Sequence, residues 1–325
     1  IMTNKYIIGL GCSWTQGEGG YPQEVVDAHG GRTQIRPGQE GQPDSDYYLR
    51  VHELENSWVN QLVKYHFPEY KSLNLGVKGI GNMAAVNQLH FANQHDLNNA
   101  EGIVIFMMSG FERFDVFQDR PMDHWGFKEP DGYNSGDFKH EKWRTAWPLE
   151  TTSGDSVFWN CYARELWSEQ FVACNTMMAL LNLQTWAKAH NFKIVLANAF
   201  NQRMENDDNG YPRIEGIFNW LKEYTGPLVD QFDWSCYIHN DEDVDYTAFM
   251  EKLVDLDGLI EKPASIHWGG YNEIYNPRNL DTHSEYLTND DGAHPTIKGY
   301  KVIADELAKF ITKRGYIEKS QFCKP

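Results

Sequence analysis

The sequence predicts an α/β protein: a parallel sheet with helices on both faces. Three observations carry that expectation. Short uninterrupted apolar runs recur along the chain, the clearest being Ile103-Val104-Ile105-Phe106-Met107-Met108, and such runs suit strands buried on both faces. Segments with helical apolar spacing alternate with these runs, as in successive βαβ units. The turns that leave the runs, at Ser13, Gly79 and Ser109-Gly110, would then collect at the carboxyl edge of the sheet, where ligands bind in such folds.

Taken in order, residues 5–10 read as a buried strand ending in Gly11-Cys12-Ser13. Residues 18–50 are rich in Gly, Pro, Asp and Gln and read as a long loop. Asn56-Ser57 can cap a helix over 58–66, Lys71 to Leu75 reads as a second strand, and a helix over about 82–97 follows its glycine-rich exit. The third strand is 103–108, and 114–163 is too long and irregular for an ordinary connection. A helix over about 165–190 places Phe171, Cys174, Met178 and Leu181 on one face, with Met177, Leu180 and Leu183 flanking, and ends at His190-Asn191 before a strand over 192–197. Residues 200–290 form another excursion, whose run Asp241-Glu242-Asp243 reads as a solvated face. Pro295 suits a first helical position, Tyr300, Ile303, Ala304, Leu307, Phe310 and Ile311 make one apolar stripe, and Gly315 stops the helix.

The chain is therefore read as a single domain over 1–325 with insertions at about 18–50, 114–163 and 200–290, although two domains would also fit 325 residues. Lys and Arg number 29 against 46 Asp and Glu, a formal charge of −17, and no basic stripe offsets it; nucleic acid is an unsuitable partner. Five cysteines without a Cys-x-x-Cys pair fit neither a disulfide scaffold nor a zinc site, and Cys161 and Cys174 read as core packing. His267, Asp281 and His283 match no standard ligand spacing, so no metal is expected. No leader is visible and no apolar stretch approaches the ~20 residues of a membrane span. The chain is expected to be soluble and, as written, cytoplasmic, with export or virion association left open.

The chemistry lies at the two ends. Ser13 leaves the first strand, and Asp291-Gly292-Ala293-His294-Pro295 precedes the last helix. A serine hydroxyl becomes a nucleophile when a base takes its proton, and His294 can be that base. Asp291, three residues earlier, can accept from one ring nitrogen and leave the other facing Ser13; its plainer role is to cap the last helix. An oxyanion formed by attack needs donors fixed in advance, for which the Ser13 N–H and the side-chain-free Gly79 are candidates. Asn82 can orient that loop or add an oxyanion donor of its own, unless it simply caps the helix that begins there.

These segments resemble the SGNH (GDSL-type) hydrolase family. Gly11-Cys12-Ser13 is similar to the family's Gly-Asp-Ser block with Cys12 in place of Asp, Asn74-Leu75-Gly76-Val77-Lys78-Gly79 resembles the second block, and Asp291-Gly292-Ala293-His294-Pro295 matches the last one. The third block departs, with Gly110-Phe111-Glu112-Arg113 where the family has Gly-x-Asn-Asp. Glu112 donates only when protonated, and Arg113 is the substitute donor, unless it pairs with Glu112 or Asp115. The resemblance implies a three-layer α/β/α sandwich with a flavodoxin-like parallel sheet, no cofactor and no metal. It also implies hydrolysis of esters, often acyl groups on sugars or lipids. The expected function is removal of short acyl groups such as acetyl from a carbohydrate.

Trp125, Trp143, Trp147, Trp159 and Trp167 could line a cleft for sugar rings or acyl chains, or form a satellite apolar cluster under a loop. Two rival readings follow. One is a catalytically impaired carbohydrate-binding or structural, virion-type module on the same scaffold. The other is a dinucleotide-binding protein, since Gly79-Ile80-Gly81-Asn82-Met83-Ala84 has the Gly-x-Gly-x-x-Ala form. That fingerprint needs an acid at the end of the next strand, and residues 103–108 are all apolar.

Overall fold

The computed structural model describes residues 4–28, 45–77, 80–92, 97, 100–110, 113–117, 143–146, 168–199, 214–246, 248–256, 285–288 and 294–317. Strand β1 (Asn4–Gly11) leads into the short helix α1 (Ser13–Gln16), followed by α2 (Gln23–Ala28), α3 (Ser45–Asn56) and α4 (Trp58–His66). Strand β2 (Lys71–Asn74), helices α5 (Asn82–Asn87) and α6 (Leu89–Ala92), and strand β3 (Ala100–Met108) come next. A small antiparallel pair, β4 (Phe114–Phe117) with β5 (Trp143–Ala146), precedes helix α7 (Glu169–Ala189) and strand β6 (Phe192–Asn198). Helices α8 (Ile214–Thr225), α9 (Phe249–Leu256) and α10 (Ile297–Lys313) complete the described elements, with three short 3-10 helices between α8 and α9.

The main sheet is wholly parallel, in the order β2-β1-β3-β6. Both of its faces are dry, and the two-residue period of a strand divides them. Ile8, Leu10, Val104 and Phe106 point into one apolar cluster together with residues of α5, α7 and α8. Ile7, Ile103, Ile105, Met107 and Val195 point the other way, against α4, α9 and α10. This is the α/β sandwich expected. The direction of strand order reverses between β1 and β3, and the crevice outside the carboxyl ends of those two strands is the preferred ligand position in open parallel sheets.

Local signals account for the helix ends. Ser57 and Ser168 accept from Asn60 N–H and Phe171 N–H, capping α4 and α7. Asn191 closes α7 with φ +58, and Gly315 follows α10 with φ +63, a left-handed turn that glycine adopts without strain.

Several expectations change. The stretch 18–50 is not all loop: it holds α2 and the start of α3, and Tyr21, Val25 and Val26 are buried together. The excursion 200–290 contains α8 and α9, whose apolar positions are diluted by the Asp-rich sequence between them. The face that α7 buries runs through Val172, Ala173, Thr176, Met177, Leu180 and Leu183, while Met178 is 55% exposed and Cys174 is only partly buried. Small residues let that side lie close to its neighbours, and the bulkier stripe was the wrong guide. Asp241 is buried rather than solvated; the Lys313 ammonium, 2.5 Å away, holds its carboxyl below the usual carboxylate range. Pro295 is not helical. Thr296 caps α10 by accepting from Gly299 N–H at 3.2 Å, and Pro295 instead pairs with Leu287 in an antiparallel bridge. The helix cap is therefore not Asp291.

Candidate active site

The first turn after β1 is shaped by what glycine omits. Gly11 has φ +149, and a Cβ there would stand 2.3 Å from Thr15 Oγ1 and 2.6 Å from the Met107 carbonyl oxygen. Only without that carbon can α1 fold back over the end of β3. Thr15 Oγ1 donates to the Leu10 carbonyl, and Asn74 at the end of β2 donates to the Thr15 carbonyl at 2.8 Å. Asn74 Oδ1 also accepts from Gly76 N–H at 2.9 Å. The exits of β1 and β2 are thus tied into one floor, with Ser13 as the first helical residue. The N–H groups at a helix start lack intrahelical carbonyl partners.

His294 reaches this floor from the far end of the chain. Its Nε2 lies 2.9 Å from Ser13 Oγ, and both residues are nearly buried. Which atom donates depends on the ring tautomer. The histidine stays outside α10, as expected for a residue before proline. Thr288 fixes its backbone: Thr288 N–H donates to the His294 carbonyl at 2.8 Å, and His294 N–H donates to Thr288 Oγ1 at 3.1 Å. Gly19, with φ +91, passes so close that a Cβ would lie 3.0 Å from that of His294 and 2.8 Å from the Pro295 carbonyl oxygen.

A second group meets the imidazole. Glu18 Oε2 is 3.3 Å from His294 Nε2, on the same nitrogen that faces Ser13. Beneath it lies a buried polar cluster. Glu53 of α3 accepts from Gln16 Nε2 at 2.8 Å and from the Tyr21 hydroxyl at 2.5 Å, and the Tyr300 hydroxyl donates to the Glu18 carbonyl at 2.7 Å. Burial, reinforced by Glu53 and Glu18, pushes the Tyr21 phenol well above its ordinary range. Burial with Glu18 and Glu53 does the same to Tyr300, so both remain donors at neutral pH.

Asn82 does not cap its helix; Gly81 occupies that position. Its amide instead bonds Ser109 on the β3 exit, accepting from Ser109 N–H at 2.9 Å and donating to the Ser109 carbonyl at 3.2 Å. Arg113 Nη1 donates to the Ile80 carbonyl at 3.0 Å, linking the second and third strand exits. Asp291, Gly79 and Glu112 lie outside the described residues, as do Cys161, His267, Asp281 and His283, and Trp125, Trp147, Trp159 and Trp167; of Trp143 only the backbone, in β5, is described. Among the described residues no cluster of three or more His, Cys, Asp or Glu could hold a metal, and no helix is long and apolar enough to cross a membrane.

Glu18, Glu53 and Thr288 are absent from the sequence reading. For Glu18 one signal existed: the run Gly17-Glu18-Gly19-Gly20, in which Gly17 and Gly19 both take positive φ and aim the residue between them. Glu53 and Thr288 carried no local mark.

No family model matches the chain, and no curated protein matches it. Two solved structures are similar over nearly all of it. One is described as a member of the lipolytic protein G-D-S-L family from Veillonella parvula DSM 2008, covering 95% of this chain and 99% of its own at 9% identity and a TM-score of 0.36. The other is a possible lipase from Chitinophaga pinensis DSM 2588, covering 96% and 99% at 14% identity, also with a TM-score of 0.36. A likeness at that TM-score carries no function to this chain.

Proposed function

We propose that the protein is a serine esterase working through an acyl-enzyme. The observation that carries this reading is the 2.9 Å contact between Ser13 Oγ and His294 Nε2 at the carboxyl edge of the sheet. In the reaction, His294 takes the Ser13 proton as Oγ attacks the acyl carbonyl. The oxyanion is held by the N–H groups of Ser13 and Gly79. As the intermediate collapses, His294 passes the proton to the departing alcohol. Water then gives a proton to His294, attacks the acyl carbon and releases the acid, and Ser13 recovers its proton. Asp291 orients the imidazole through the other ring nitrogen. The proposed substrate is a short acyl ester, such as an acetyl group, on a carbohydrate. The resemblance of the strand-exit motifs and the tryptophan-rich sequence after β3 support that choice.

A second reading, a carbohydrate-binding or structural module on the same scaffold, draws on Asn82 and Arg113. Both candidates for a third oxyanion donor bond backbone carbonyls instead, those of Ser109 and Ile80. Hydrolysis of p-nitrophenyl acetate separates the two. The esterase reading expects turnover that Ser13→Ala abolishes with the fold intact; equal turnover by that variant refutes it, and no turnover by the parent protein favours the module.

A further inference from the structure

We propose that Glu18 shares the proton exchanged by Ser13 and His294 and thereby sets the lower pH limit of the reaction. The proposal rests on the reading of Ser13 as nucleophile and His294 as base, and adds a carboxylate on the reacting nitrogen.

The argument begins with donor and acceptor roles. A serine hydroxyl can donate or accept, whereas an ionised carboxylate only accepts. His294 Nε2 faces both, Ser13 Oγ at 2.9 Å and Glu18 Oε2 at 3.3 Å. If that nitrogen carries a bare lone pair, it confronts an anionic oxygen at close range with no hydrogen between them. A proton on Nε2 turns the same contact into a charge-assisted hydrogen bond. The resting geometry therefore favours a proton on Nε2, carried by the neutral Nε2–H tautomer or by an imidazolium paired with Glu18, and in either form Nε2 cannot accept the Ser13 proton.

Glu18 is built into this place. Its side chain is 15% exposed. Positive φ values at Gly17 and Gly19 set the backbone on either side, and a Cβ on Gly17 would lie 1.9 Å from the Glu53 carbonyl oxygen. The Tyr300 hydroxyl anchors the Glu18 carbonyl. Among the described residues, the titratable groups around the contact are Cys12 at the start of α1, Tyr21 in the following loop, Glu53 of α3, Tyr300 of α10 and His294 itself. Asp291 precedes the histidine in sequence. Glu53 adds negative charge below the site, which also favours a proton on the ring, and the two tyrosines stay neutral.

In the reaction the extra proton must first leave Nε2 for solvent. The Oγ–H proton then moves to Nε2 as the Oγ–C bond forms, and Glu18 stabilises the imidazolium so produced. The proton goes to the alcohol oxygen as the ester C–O bond breaks. Glu18 thus trades activity at low pH for a better-stabilised intermediate above it.

The test is a pH titration of the His294 imidazole by NMR in the full-length protein and in Glu18→Gln, with His294→Ala assigning its signal among the 12 histidines. Loss of a carboxylate at this range is expected to lower the midpoint by about one to two pH units. Unchanged midpoints overturn the proposal, whether or not the protein turns over an ester. Glu18→Asp, which keeps the charge but withdraws it, should fall between the two. With p-nitrophenyl acetate, the acid limb of kcat/KM should move down equally in Glu18→Gln while the plateau kcat falls several-fold. Equal acid limbs sink the Glu18 role but leave the Ser13–His294 reading standing. Absence of turnover in the parent protein removes that reading, and the NMR result still decides on Glu18.

Discussion

Thr288 grips His294 twice, donating from its amide to the histidine carbonyl and accepting from the histidine amide on its hydroxyl. With the Leu287–Pro295 bridge beside it, this makes a small clasp that presents the imidazole to Ser13. The histidine is thus placed by backbone bonds made ahead of α10.

Removing the hydroxyl should misplace the base. Thr288→Ala leaves the buried His294 N–H without that acceptor, at a cost of about 1–3 kcal/mol. The expected outcome is a kcat about tenfold or more lower with little change in KM, because positional errors near 1 Å are costly to a proton transfer. Thr288→Ser restores the acceptor and should restore kcat. Steady-state kinetics on p-nitrophenyl acetate, with thermal midpoints alongside, checks this.

The sheet was legible in the sequence because strands buried on both faces must be continuously apolar, as 103–108 is. Ser13 and His294 were legible because each lies beside such an element, one leaving the first strand and one preceding the last helix. What lies around them was not. Glu18 occupies a stretch whose Gly, Pro and Asp content reads as loop, Glu53 lies just past its end, and their partners come from remote segments. Thr288 is an ordinary residue until the chain doubles back at Pro295. Asn82 stays ambiguous in the sequence for a related reason: the local signal at a helix start suggests a cap as readily as a loop anchor, while its amide bonds the β3 exit.

Asn82 gives a second prediction. Asn82→Ala strips the buried Ser109 N–H of its acceptor and should lower unfolding free energy by about 1–3 kcal/mol. Asn82→Asp keeps that acceptor and should lose less. Urea denaturation measures both. A large fall in kcat in Asn82→Asp with unchanged stability would instead mark the amide as a direct oxyanion donor.

Acid should destabilise the fold through His239. This residue is fully enclosed, accepts from Asn198 N–H at 2.9 Å and packs against Tyr237, Tyr246 and Phe249; burial pushes its imidazole down to about 3. Unfolded, it takes a proton near its ordinary value of about 6.5. The unfolded state therefore binds the extra proton, and stability that is full above about pH 6.5 drains away as the pH falls toward 3. By pH 5 the loss from this group is about 2 kcal/mol. His239→Gln keeps an acceptor without titrating, so the difference in unfolding free energy between pH 7 and pH 5 should shrink by about that amount.

The most direct measurement of the central claim is covalent capture of the nucleophile: incubation with a fluorophosphonate, followed by mass spectrometry of the peptide that carries Ser13. A single adduct on Ser13, lost in His294→Ala while that variant still folds, is the result expected from an imidazole that activates this hydroxyl. An unmodified Ser13 in the intact protein, or equal labelling without His294, would contradict it.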